Sequence, residues 1–249
     1  MGQGQYDRAS VPGREPVRQN VYMPASVTWG CHAVGAAAAQ AVRHPGRPGR
    51  ATVADTFQGV DLHGWMTADL ASLRGKLFDG VIELVPEQYW HQQADGGGAT
   101  LNGLFLHLAR HHDLAVNAVI RDREPLYFAH RKALGLAGAP SGVGIAEAED
   151  RSVSAAVDTG ALLHYITAVF DSSTSWLDAL GSLVLDSVPH SDYRLTTRAA
   201  LDRDELPWLF AMWEGKPIWW LVQWPVIGHG HAHVGEATSI RNRFGFSPF

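Results

Sequence analysis

The stretch TLNGLFLHLARHHD, residues 100–113, decides the fold. Thr100 is suited to cap a helix, because its hydroxyl can accept from a free backbone N–H of the first turn. Leu101, Leu104 and Leu108, continued by Ala115 and Val119, keep helical stepping along one face up to Asp122. Upstream, Met66, Leu70, Leu73, Leu77, Val81 and Leu84 advance by three or four and predict a helix from residue 62, stopped at Val85-Pro86. A polar connection with Gly96-Gly97-Gly98 joins the two.

Downstream, residues 123–150 hold Gly135, Gly138, Gly142 and Gly144 and read as a loop. Val157, Leu162, Ile166, Val169, Phe170, Trp176 and Leu177 predict a third helix over about 152–180. The stretch to about 205 is ambiguous: Leu183-Val184-Leu185 and Tyr193-Arg194-Leu195 suit short strands or extended chain equally. Five of the nine tryptophans follow, at 208, 213, 219, 220 and 224, and are expected to pack the core, one or two of them walling a pocket. A last helix runs from Val226 to about Arg243, with Gly245 ending it. Four long helices with one or two long crossovers describe an all-α helical bundle.

Residues 1–60 differ from the rest. Arg-Pro-Gly punctuation surrounds one small-residue stretch, Ala33 to Ala41, which suits a short helix but offers few large side chains to pack a core. The expectation is a flexible N-terminal extension over 1–60 and a folded domain over 61–249.

A single cysteine in 249 residues excludes an intramolecular disulfide framework and any Cys-rich metal module, and fits a reducing compartment. Any metal site must therefore be built from histidine and carboxylate. The net charge of −5 lacks the basic surplus that non-specific phosphate binding needs, so nucleic acid is not an expected partner. The longest apolar run, Ile218 to Ile227, is too short to span a bilayer and is interrupted by Gln223 and Pro225. The opening MGQGQYDRAS lacks the basic-then-apolar order of a secretory signal, and the expected location is cytoplasmic. Phosphate-binding Gly-x-x-x-x-Gly-Lys, Gly-x-Ser-x-Gly and His-Glu-x-x-His motifs do not occur.

Six of the thirteen histidines fall in two windows, 107–112 and 229–233, a local enrichment of the kind that binds metal. His229 and His233 are four apart, so a helix projects both imidazoles from one face. His107, mid-helix on another segment, completes a three-nitrogen set across the bundle. His111 and His231 are the alternatives for the same set, although helical geometry turns His231 away from its neighbours. Pro225, Gly228 and Gly230 weaken the start of the last helix, so its geometry must rest on tertiary support.

The segment Leu101 to Asp113 resembles the HLxxxxD helix of the DinB-like four-helix bundles, a group that includes thiol-dependent S-transferases. Their last helix carries H-x-x-x-H-x-G-[QE], and this chain has His229-Gly-His-Ala-His233-Val-Gly235-Glu236. Tyr89-Trp90 with the glycine-rich turn before the second helix, and Ser239 to Gly245 at the end, extend the resemblance over about residues 62–245. It implies a DinB-like four-helix bundle holding one divalent ion on His107, His229 and His233, with remaining positions open to water or substrate.

Zinc or nickel suits such an imidazole set. A low-molecular-weight thiol bound there would be activated as thiolate and attack an electrophilic small molecule; the resemblance points to mycothiol or bacillithiol. Cys31 lies far from the histidine windows, so the nucleophilic sulfur would come from outside the chain. Glu236 and Arg241 are the candidates for a catalytic role. Glu236 either orients a ligand imidazole or is an ordinary solvated residue. Arg241 and Arg243 either meet an anionic cofactor or, as is favoured, complement the helix C-terminal dipole. A metal-dependent hydrolase and a non-catalytic metal-binding stress-response protein are the alternative functions. Bundles of this type often dimerise, so a homodimer is expected.

Overall fold

The structure is a computed structural model and describes residues 61–146, 151–180 and 184–249. The expectations placed on residues 1–60, including the flexible extension, the Ala33 to Ala41 helix and Cys31, lie outside the described residues. Among the described residues the chain is entirely helical, with no strand.

Helix α1 spans Leu62–Leu77 and is capped by Asp61, whose carboxylate accepts from Gly64 N at 2.6 Å. Its predicted stripe, Met66, Leu70, Leu73 and Leu77, is the buried one. A wide π turn, Phe78–Ile82, continues it to the predicted stop. Two short 3-10 turns follow, and Trp90 anchors this connection by packing edge-on against Phe105 and donating from Nε1 to Val85 O at 2.9 Å.

Helix α2, Leu101–Asp113, begins as predicted with Thr100 accepting from Gly103 N, and runs into a π turn, Leu114–Ile120. Its surroundings differ from the expectation of one apolar face: every residue from 100 to 120 is buried. A helix buried all round needs partners for the polar groups it carries, and Asp113 and Arg110 find several. Asp113 accepts from Asn117 Nδ2, Leu126 N, Tyr127 N and Tyr165 Oη at 2.7–3.0 Å. Arg110 lies over the Tyr127 ring, 3.7 Å from its centroid, and donates to Ser141 O at 2.6 Å and Val143 O at 3.1 Å.

The segment read as a loop contains a short helix, α3, Tyr127–His130, whose first backbone N–H groups are those that Asp113 binds. The predicted third helix is two helices, α4, Arg151–Ala156, and α5, Thr159–Asp178. The break lies at Val157-Asp158, where Asp158 turns to extended backbone and accepts from Ala161 N, capping α5.

The ambiguous stretch holds neither strand among its described residues. Tyr193 to Leu195 falls inside α6, Ser191–Thr197. Helices α7, Pro207–Trp213, and α8, Ile218–Leu221, carry most of the tryptophan cluster, and only Trp213 is fully buried. Trp208, Trp219 and Trp224 are each more than a third exposed, because these short elements present one side to solvent.

From α8 the chain passes through a third π turn, Val222–Gly228, into α9, His229–Arg243, so Pro225 sits within a helical run. Proline lacks a backbone N–H, and a π turn is one of the places where a helix departs from its i→i−4 ladder. Tertiary support is visible at Gly230, where a Cβ would stand 2.6 Å from Leu73 Cδ2; its absence lets α9 lie close on α1. Helix α2 packs on α5 and α9, and α1 packs on the same two helices. No helix among the described residues is long and apolar enough to cross a membrane.

Candidate metal centre

Two His-x-x-x-His pairs meet where α2 crosses α9. His107 and His111 are one turn apart on α2, and His229 and His233 one turn apart on α9. His107 Nε2 lies 3.1 Å from His229 Nε2, and His233 Nε2 lies 3.0 Å from the same atom. Two nitrogens bound to one ion at about 2.0–2.1 Å in tetrahedral geometry are separated by about 3.3 Å, so this spacing is close to that of a loaded site. His107, His111 and His229 each bring a ligand atom within 4.8 Å of the other two, close enough to hold a metal ion.

Hydrogen bonding alone leaves these imidazoles poorly served. Nδ1 of His107 and of His229 are buried without a partner among the described residues, while the Nε2 atoms crowd together. The Nε2 atoms of His107 and His233 each lie 3.0–3.1 Å from that of His229, a spacing that suits a hydrogen bond between imidazoles or ligation of a shared cation. The residues therefore fit a divalent ion of the borderline type that imidazole prefers.

Electrostatics keep three of these imidazoles in the neutral form that can bind a metal. Burial, reinforced by His233, pushes His107 down to about 4. Burial and the neighbouring His107 lower His111 to about 3. His229, buried and ringed by the other three, is held well below the ordinary histidine range. All three are neutral at physiological pH, as metal ligation requires.

Contacts beyond the cluster orient two of the rings. His111 Nε2 lies 2.8 Å from Ile145 O, which fixes its proton there and leaves Nδ1 as the free lone pair. His233 Nδ1 lies 3.2 Å from Glu236 Oε2, leaving Nε2 to face His229. The same contact holds the Glu236 carboxyl below the usual carboxylate range. Trp208 and Trp213 stand beside His111, with ring centroids at 6.0 and 6.3 Å, and form an aromatic wall on one side of the cluster.

The sequence-derived residues divide clearly. His107 and His229 come together with His111 as the set close enough to hold an ion, and the expected third ligand His233 reaches that set through its Nε2, 3.0 Å from His229 Nε2. The signal for His111 was present in the chain, because 107 and 111 repeat the four-residue spacing of 229 and 233. His231 faces Asp69 and Lys76 of α1, away from the cluster. His112 points elsewhere too, its ring edge-on to Phe170 at 4.8 Å. Arg241 is buried and donates to Gly80 O and Asn242 Oδ1, and Arg243 binds Asp95 Oδ2 and Ala94 O, each at 2.7 Å. Both arginines thus tie α9 to the connections around α1. What spacing did not reveal is Arg110, which secures residues 141–143 to α2 just before the Ile145 carbonyl that orients His111.

No family model matches this chain, and no curated protein or solved structure matches it either.

Proposed function

We propose that the protein is a DinB-like four-helix bundle that binds a divalent ion, zinc or nickel, on His107, His229 and His233 with His111 beside them, and that it acts as a thiol-dependent S-transferase. The observation that carries the metal reading is the convergence of the Nε2 atoms of His107 and His233 on that of His229, at 3.1 and 3.0 Å. The bundle reading is supported by α1 and α2 each packing on both α5 and α9. When bound, the ion supplies a Lewis acid that lowers the pKa of a coordinated thiol or water. The chain's own residues then have separable tasks. The imidazoles hold the ion, Glu236 and Ile145 O orient His233 and His111, and Trp208 and Trp213 limit water on one side. The thiol, of mycothiol or bacillithiol type, and the electrophile are small molecules from solution.

A second reading, metal binding without turnover, is favoured by the presence of four imidazoles, since four nitrogen donors can close a tetrahedral shell as structural sites do. A hydrolase reading has less support, because Glu236 is engaged with His233 and is not placed as a free base. The deciding experiment pairs elemental analysis of the purified protein with a thiol-consumption assay using a chloronitrobenzene electrophile. Stoichiometric metal with thiol consumption sustains transfer; stoichiometric metal without it leaves the binding protein; absence of a stoichiometric ion removes the metal reading.

A further inference from the structure

A cavity of about 260 Å³ lies beside α2, one turn toward its start from His107. Its walls include Leu106 of α2, Pro140 and Val143 of the following segment, Val153 of α4, and Glu205 and Leu206 just before α7. None of the four clustered histidines lines it, although the backbone of Gly144 and Ala146 in its wall lies beside the His107 ring. The wall at 140–146 is a built one. Arg110 holds its backbone at Ser141 and Val143, and His111 holds it at Ile145. Gly144, at φ +76°, lets it lie so close to α2 that a Cβ there would stand 2.9 Å from Leu106 Cγ.

The lining chemistry selects a class of occupant. The walls are mostly apolar, with Ser154 among them, and among the described residues the only charged side chain is the carboxylate of Glu205, which is exposed and so sits at the cavity's edge. Among the described residues no lysine, arginine or histidine lines the space. An apolar cavity of about 150 Å³ accommodates benzene, so this one has room for a benzene-sized body and a small head group. An anionic head would meet a like charge at Glu205 and find no compensating cation among the described residues, whereas a cationic head would find its counter-charge.

We propose that this cavity is a binding site for small aryl- or alkylammonium compounds, the apolar body seated among Leu106, Val143, Val153 and Leu206 and the cationic head at Glu205.

The test is an NMR titration of the full-length protein with three probes of similar size, benzylammonium, benzyl alcohol and benzoate. Saturable one-to-one binding is expected, with the cation at least about threefold tighter than benzoate, the range that a solvent-exposed charge provides. Val143→Trp, which fills the cavity, abolishes binding of all three. Glu205→Gln, an exposed change that leaves the core intact, keeps the benzyl alcohol affinity and removes the preference for the cation. Absence of saturable binding, equal affinity for benzoate, or an unchanged preference in Glu205→Gln overturns the proposal. Because no clustered histidine lines the cavity, none of these outcomes depends on the ion.

Discussion

His107 and His229, 122 residues apart in the chain, place their Nε2 atoms 3.1 Å from each other at the crossing of α2 and α9. Both rings are neutral, and with His111 they lie close enough together to hold a metal ion. His229→Ala is expected to reduce bound zinc or nickel from about one ion per chain to a trace, since it removes the nitrogen that the others surround. His231→Ala, on the α1 side of α9, should retain the full complement. Elemental analysis after dialysis reads both; metal retention by His229→Ala would remove this residue from the ligand set.

Glu236 acts on the site through His233. Removing a carboxylate that orients a ligand imidazole costs metal affinity by about 10–100-fold. Glu236→Ala should therefore weaken binding by about tenfold in a chelator competition, and Glu236→Gln, which still accepts from Nδ1, by less. Glu236 is exposed, so the thermal unfolding midpoint should stay close to that of the parent.

His112 sets an acid limit on stability. Burial alone lowers it to about 3, and neither ring nitrogen has a partner among the described residues. In the unfolded chain it titrates near 6.5, so its folded pKa is depressed and the unfolded state takes up the proton first. The contribution is fully present above pH 6.5 and is lost progressively as pH falls toward 3. At pH 5 one such group costs about 2 kcal/mol. His112→Leu should flatten the fall in urea-unfolding free energy between pH 7 and 5 by about that amount; an unchanged slope would show that His112 protonates freely in the folded state.

Asp113 is the polar anchor of the buried helix. Its carboxylate takes four hydrogen bonds, two of them from the backbone that starts α3. Asp113→Asn keeps the shape but turns an amide N–H toward donors, which should destabilise by about 2–4 kcal/mol. Chemical denaturation measures this directly, and a loss below about 1 kcal/mol would contradict the network.

Much of this architecture was legible because it rests on local rules. Helical stepping at 66–77, the Thr100 cap and the four-residue spacing of His229 and His233 all carry over into the structure. The unread parts depend on tertiary context. The π turns at 78–82, 114–120 and 222–228 have no compositional mark, and Pro225 argued for a boundary where helical backbone continues. The break at Val157-Asp158 was hidden by apolar residues on both sides, although Asp158 is an ordinary capping residue. Full burial of α2 is invisible to periodicity, because Arg110, His112 and Asp113 look like a solvated face until their surroundings are known.

The strap over residues 141–145 meets α2 through main-chain carbonyls, those of Ser141, Val143 and Ile145. Recognition of this kind is blind to side-chain identity. A saturation scan of the strap should therefore find wide tolerance for metal retention, interrupted at Gly144, where a positive φ and the approach to Leu106 and Arg110 leave no room for a methyl group. The cavity wall is free to diversify its chemistry while the imidazoles stay in place.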